Sequence, residues 1–305
     1  MSVLTTPETK NADPPDDHLV VVPARHPWRW AGTALVLVLL AQFVHGLVTN
    51  PGWDWATFAG YFLEESVVEA LGLTLLLTLG SAVLGFLGGI PLAAMRLSAN
   101  PVLSAVSWAY IWVFRSVPLL VQLLFWANLG YLYDTLQVGI PFGPGVSFPT
   151  VSLISSFGAA LLGLSMHEAA FAGEIIRAGL LSVDAGQHEA AAALGIPKGR
   201  QFYRIVLPQA MRAILPNAAN LLVNLLKSTS IVYILAIGEL FYQVQVIYGR
   251  NGRVVPLLMV ATVWYVILTA LLSILQFYTE RHFARGAVRT LPPTPLQKLK
   301  AAIRR

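Results

Sequence analysis

The sequence contains no cysteine, which excludes a disulfide framework and any thiolate metal site. Charge is also scarce. Asp, Glu, Lys and Arg make up 11% of the 305 residues, against about 25% in an ordinary soluble domain. No G-x-x-x-x-G-K-[ST] phosphate loop occurs. The nearest stretch, GIPKGR at 195–200, has neither the spacing nor the hydroxyl. His167-Glu168 and His188-Glu189 each begin like a zinc motif, but neither continues as H-E-x-x-H. No nucleophile–base constellation and no internal repeat stand out. The expectation is a chain with no catalytic residues, no metal and no ATP hydrolysis of its own.

What is present is apolar: 56% of the residues are hydrophobic. They concentrate in six blocks, at roughly 29–49, 66–95, 103–131, 151–180, 213–240 and 255–280, and about 20 apolar residues suffice to cross a bilayer core. The expected fold is an all-α polytopic membrane protein with about six transmembrane helices. A net charge of +5 does not signal nucleic acid here, because its placement follows the positive-inside pattern. Residues 50–65 and 132–150 carry Asp54, Glu64, Glu65 and Asp134 but no Lys or Arg. Arg96, the segment 182–212 and the C-terminal tail carry the basic residues, so both termini are expected inside. Arg250 and Arg253 break the rule.

The boundaries expected are a disordered cytoplasmic tail at 1–27 and an extra helix with its external loop at 28–65. The main transmembrane domain follows at 66–283, and a basic cytoplasmic tail at 284–305. The run Ala31–Val48 starts too deep and lacks an A-x-A site, so it is read as a retained span and not a signal peptide. Gly85 and Gly89 form a G-x-x-x-G spacing suited to close helix packing.

The stretch EAAAALGIPKGRQFYRIVLP (189–208) is too polar for a span. Asp184 with Gln187 reads as a capping box opening a helix near 185, and Gly195 as its left-handed stop. Pro197 fits the first turn of a second short helix that Pro208 ends. That helix gathers Phe202, Ile205 and Val206 on one face, with Lys198, Arg200 and Arg204 elsewhere. On physical grounds the pair either lies on anionic lipid or docks in a groove of a soluble partner.

Glu189, Ala190, Ala191, Gly195, Ile205, Leu207 and Pro208 match the E-A-A, Gly, I-x-L-P signature of the membrane subunits of ABC importers. GQHEAAAALG (186–195), LPQAMRAILPN (207–217), NLLKSTSI (224–231), IGEL (237–240) and FRSVPLLVQL (114–123) resemble the permeases for polar amino acids. The resemblance, which covers roughly 66–283, implies a type I core of five helices plus one extra N-terminal helix in a bacterial inner membrane. It implies that the loop 182–208 couples to ATP-binding cassette ATPase subunits, which bind the ATP, through Gln187, Glu189, Ala190, Ala191, Gly195, Lys198, Arg204 and Pro208. A second permease subunit, identical or not, an extracytoplasmic amino-acid-binding protein and an amino acid substrate are the other implied partners, beside membrane lipid. RSVP in place of the usual RGTP and KSTS without a following acidic residue are departures from the family pattern.

Several polar residues fall inside the spans. Asn217, Asn220, Asn224 and Lys227 are spaced 3, 4 and 3, within an arc of about 80° on a helix. Such a stripe faces protein or water and not lipid; it is either interhelical glue or the lining of a path. Arg115 and Gln122, seven apart, are expected on one face of the 103–131 helix, with Arg115 paired to an acidic neighbour or touching substrate. Glu174 and Arg177 read as a local ion pair. Glu168 is expected to pair with Arg115 or Lys227 or to face a cationic substrate. Arg115, Gln122, Glu168, Asn220, Asn224 and Lys227 are thus the candidate substrate path. An ion-coupled secondary transporter or channel is the alternative, with Glu168 as its one candidate ion site.

Overall fold

The computed structural model describes residues 27–140 and 143–283. The expectations for residues 1–26 and for the basic tail at 284–305 lie outside them. The chain divides into two units, Met1–Pro51 and Gly52–Arg305.

In the first unit, helix α1 spans Pro27–Thr49 and buries none of its residues. Its 23 residues reach about 34 Å at 1.5 Å per residue, enough to cross a bilayer core. Apolar residues surround its whole circumference, so no face is marked for water.

The second unit holds the remaining helices: α2 Trp55–Phe62, α3 Glu65–Arg96, α4 Pro101–Ser116, α5 Leu119–Ala127, the short α6 Thr150–Leu153, α7 Ser156–Leu181, α8 Ala185–Ala193, α9 Lys198–Gln201, α10 Leu207–Ser228, α11 Leu240–Asn251 and α12 Val254–Phe283. A hairpin of β1 Thr135–Gly139 and β2 Gly145–Pro149 interrupts the helical pattern. Five helical runs among the described residues are long and apolar enough to span, or six when α4 and α5 count as one broken span.

That break is a correction. The block 103–131 read as one helix, with Arg115 and Gln122 on one face. The chain instead bends by 104° between α4 and α5. Pro118 has no N–H to continue the ladder and pushes Val117 into an extended conformation, φ −84° and ψ 131°. A heptad spacing carries no facial meaning across such a bend.

At the centre, α3 and α7 run parallel in close contact. A Cβ at Gly85 would lie 2.6 Å from the Glu168 Cβ. One at Gly89 would lie 2.8 Å from both the Ala172 Cβ and the Gly173 backbone nitrogen. The G-x-x-x-G spacing therefore meets a second small-residue face, Ala169, Ala172 and Gly173, and the backbones approach as no larger residue would allow. Two apolar clusters flank this seam. Val67, Leu71, Leu226, Leu240, Val244 and Leu257 form one. Leu77, Leu119, Leu123, Leu164, Leu225 and Val232 form the other.

Two of the polar side chains buried beside these clusters, Thr74 and Glu239, accept from backbone N–H groups. Thr74 Oγ1 accepts from Leu240 N at 3.0 Å. The fully buried Glu239 caps α11, accepting from Phe241 N at 3.0 Å and Tyr242 N at 2.7 Å. At the Glu65 end of the bundle, α2 is capped by Asp54, which accepts from the Thr57 N–H at 3.2 Å and the Thr57 hydroxyl at 2.7 Å. Arg253 donates to Asp54 at 2.8 Å, which gives one of the two charges that broke the positive-inside pattern a partner. Phe62 stacks on Trp264, ring centres 4.9 Å apart, and Trp264 Nε1 donates to the Phe62 carbonyl at 2.9 Å.

Candidate functional site

The loop at the Arg96 end begins with Asp184, whose side chain accepts from Gly186 N at 2.7 Å and so caps α8. Gln187 does not complete a capping box. Its Oε1 accepts from Gln209 Nε2 at 3.3 Å and ties α8 to α10. At the other end Gly195 takes φ +65°. Gly195 N donates to Ala192 O and Ile196 N to Ala191 O, each at 3.0 Å. Those two bonds are a Schellman stop. A Cβ at Gly195 would meet nothing within 4 Å, so glycine is required there by backbone conformation alone.

Beyond Pro197 the chain does not form a separate short helix ended by Pro208, as expected from the sequence. Helix α9 passes through a π-turn at Phe202–Val206 into α10. In the π-turn the Leu207 N–H reaches back five residues to Phe202 O. The wider turn accommodates Pro208, which needs no N–H acceptor, in the first turn of α10. The result is one helical run, Lys198–Leu235, of 38 residues. Ala191 and Val206 are buried and seat the loop on the bundle. Gln187, Glu189, Ala190, Gly195, Lys198, Arg204 and Pro208 are exposed, and so are Leu194 at 77% and Tyr203 at 69%.

The same run carries the polar stripe. Ala210, Ile214, Leu221 and Leu225 of α10 face the core, whereas Asn217, Asn220, Asn224 and Lys227 are all exposed. Asn217 bonds back to Ala213 O at 2.8 Å. Asn220 Oδ1 accepts from Gln276 Nε2 of α12 at 2.9 Å. Among the described residues, the side chains of Asn224 and Lys227 have no hydrogen-bond or ion-pair partner. Glue between helices of this chain therefore accounts for Asn220 only.

A cavity of about 410 Å³ opens between α3, α4 and α7, lined by Arg96, Trp108, Trp112, Arg115, Phe171 and Glu174 among others. The Arg115 guanidinium lies 5.2 Å from the centre of the Phe171 ring, within cation–π range. Glu174 is held by Arg177 one turn on, Nε to Oε2 at 3.0 Å, as the spacing predicted. Arg115 itself forms no ion pair among the described residues.

Two candidate path residues sit elsewhere. Glu168 is 4% exposed and packed against Gly85 in the α3–α7 seam. It pairs with neither Arg115 nor Lys227. It is not among the residues that line the cavity beside Phe171. Gln122 is 6% exposed, and its Nε2 donates to Phe114 O and Val117 O, both at 2.8 Å. His167 Nδ1 lies 3.2 Å from the same nitrogen, and the His167 ring packs on Phe171 at 4.9 Å.

Sequence reasoning missed Arg96, Trp108, Trp112 and Phe171 as cavity residues, because they gather from three helices with no shared local pattern. It also missed Glu239, although the IGEL stretch was visible; an acidic residue just before an apolar helical run is an N-cap signal. Among the described residues no cluster of His, Asp and Glu has metal-binding geometry.

Comparison with known proteins agrees with this architecture. The family model described as binding-protein-dependent transport system inner membrane component matches residues 85–285. The arginine transport system permease protein ArgU of Corynebacterium glutamicum is 39% identical over 288 residues, 92% of this chain and 88% of the relative. The glutamate/aspartate import permease protein GltK of Escherichia coli is 35% identical over 236 residues, 76% of this chain and 99% of the relative. Among solved structures, a chain of an amino acid ABC transporter crystallised with histidines superposes with a TM-score of 0.61. It is 31% identical and covers 71% of this chain and 94% of its own length. The MetNI methionine ABC transporter, at 21% identity and a TM-score of 0.60, shares the fold. The chain therefore belongs to the binding-protein-dependent transport system inner membrane components, as a permease of the amino-acid ABC importers.

Proposed function

We propose that this permease lines the translocation path of an amino-acid importer and receives the work of ATP hydrolysis through the loop 182–208. The observation that carries the proposal is the continuous run Lys198–Leu235. One end of it belongs to the exposed loop, and its middle carries the exposed stripe Asn217, Asn220, Asn224 and Lys227. A displacement imposed at the loop reaches the stripe along one helical run, which continues through the π-turn and past Pro216. Partner ATPase subunits grip Glu189, Ala190, Gly195, Lys198, Arg204 and the protruding Leu194, while Gln187 and Ala191 hold α8 to the bundle. On this reading the loop lies on the cytoplasmic side of the membrane.

A second permease subunit faces the α10 stripe, and the two enclose the path. The cavity beside Arg115 receives the amino acid, whose carboxylate the guanidinium binds; Asn220, Asn224 and Lys227 line the route to it. Gln122 and Glu168 support the path from behind. An extracytoplasmic binding protein delivers substrate to the opposite end of the bundle, where the hairpin and the exposed Tyr131 and Tyr133 lie. ATP binding favours one of two packings of the paired subunits, and the loops transmit that preference.

The test is the assembled importer in proteoliposomes, supplied with a binding protein loaded in turn with basic, acidic and neutral amino acids. One loaded form is expected to stimulate ATP hydrolysis and drive uptake, and Glu189→Lys is expected to abolish both while the permease still inserts. A permease that fails to co-purify with any ATP-binding cassette subunit, and still transports on an ion gradient alone, would overturn the proposal.

A further inference from the structure

Among the backbone carbonyls that the bend between α4 and α5 deprives of helical donors are those of Phe114 and Val117. Phe114 O would bond the N–H of residue 118, which is proline. Val117 O would bond Val121 N, but that N–H turns to Pro118 O at 3.0 Å. Buried carbonyls left unpaired inside a membrane protein are costly. The side-chain amide of Gln122 answers both, with two N–H groups for two carbonyls at 2.8 Å each. Its own N–H also bonds Pro118 O, at 3.2 Å. Gln122 Oε1 is buried and has no hydrogen-bond partner, so the amide is oriented entirely by what its nitrogen does.

We propose that Gln122 is a positioning residue for the substrate cavity, acting as the latch of this bend. The carbonyls it grips belong to the residues either side of Arg115 and Ser116. The angle it sets therefore decides where the Arg115 guanidinium is held. The same nitrogen touches His167, and His167 packs on Phe171, the ring that also carries Arg115. Latch and cavity thus meet through a second route across α7. Gln122 touches no substrate in this arrangement, which rests on the reading that the cavity beside Arg115 receives the amino acid.

The lack of native cysteine makes a direct test available. Spin labels on cysteines introduced at the exposed positions Val106 and Phe125 report the distribution of bend angles in the assembled importer. Gln122→Met fills the same volume without donors. It is expected to broaden that distribution and to raise the KM for uptake about tenfold, through misplacement of the binding group, with the complex still assembled. An unchanged distribution overturns the latch. A broadened distribution with an unchanged KM overturns the positioning role. Arg115→Ala is measured alongside; if it leaves KM unchanged, the cavity reading fails, and the spin-label distances alone then decide the latch. If Gln122→Met does not assemble, Gln122→Asn, one methylene short of the carbonyls, replaces it. A wild-type bend and KM in that variant overturn the proposal.

Discussion

Helix α7 meets its neighbours in two contrasting ways. Against α3 the contact is made by residues too small to move: Gly85 and Gly89 on one side, Ala169, Ala172 and Gly173 on the other. Both helices run on without a break, and α3 continues past Pro91 although that residue donates no ladder bond. Against α4 and α5 the ladder is broken, and one amide from Gln122 replaces two of the missing donors. The first contact behaves as a weld, because any change needs backbone to move into backbone. The second behaves as a joint, because a single side-chain rotation removes both of its bonds. The proposed function uses both kinds, the first to keep the bundle whole and the second to set Arg115.

The sharpest way to break this contrast is at the weld. Gly89→Leu must push into the Ala172 Cβ and the Gly173 backbone nitrogen, each 2.8 Å from its Cβ alone. It should destabilise the chain by about 3 kcal/mol, near the upper end for overpacking. Thermal unfolding in detergent and the yield of assembled importer would register the loss. A wild-type melting temperature would mean that the seam yields as easily as the joint.

Next in size is Gly195→Ala. Its Cβ meets nothing, so only the left-handed φ of +65° counts, costing about 1 kcal/mol. The expected result is normal insertion with reduced substrate-stimulated ATPase activity; undiminished stimulation would remove the loop's turn from the coupling pathway.

Lys227→Met and Asn224→Leu alter exposed side chains on α10. Stability should change by less than about 0.5 kcal/mol, while the uptake rate falls. A drop in melting temperature with unchanged uptake would recast the stripe as a surface between subunits and not a path.

The smallest effect belongs to the Glu65 end. Hydrogen bonds from Thr57 lower the Asp54 carboxyl below its usual 3.8, and Arg253 adds a weaker pull. A depressed folded-state value stabilises above the unfolded one and is lost as pH falls through the folded one. The Asp54 contribution should therefore be complete at neutral pH and decline only below 3.8. Asp54→Asn should flatten that acid limb of the stability curve slightly and leave uptake unchanged.

Much of the fold was legible in the chain. Apolar block lengths marked the spans, the G-x-x-x-G spacing marked the seam, and Gly195 marked its own left-handed stop. Two prolines behave in the fold otherwise than their local sequence suggests. Pro118 lies inside an apolar block that reads as one helix, and the chain bends there by 104°; Pro208 reads as a helix end, and a π-turn carries the helix past it. Proline removes a donor in every context. Whether the chain bends or continues depends on which neighbours satisfy the freed carbonyls, and those neighbours are known only once the helices are packed.

The sequence by itself determined that this chain spans a membrane, that a left-handed stop falls at Gly195, and which family it joins. These follow from composition, from charge placement and from a motif whose spacing is local. Only the tertiary structure decided that Gln122 turns to backbone and not to a path, that Glu168 is sealed against Gly85, and that Arg96, Arg115, Phe171 and Glu174 share one cavity. Those facts depend on which face each helix turns to the others, and in a chain apolar on nearly every side, periodicity does not say which face that is.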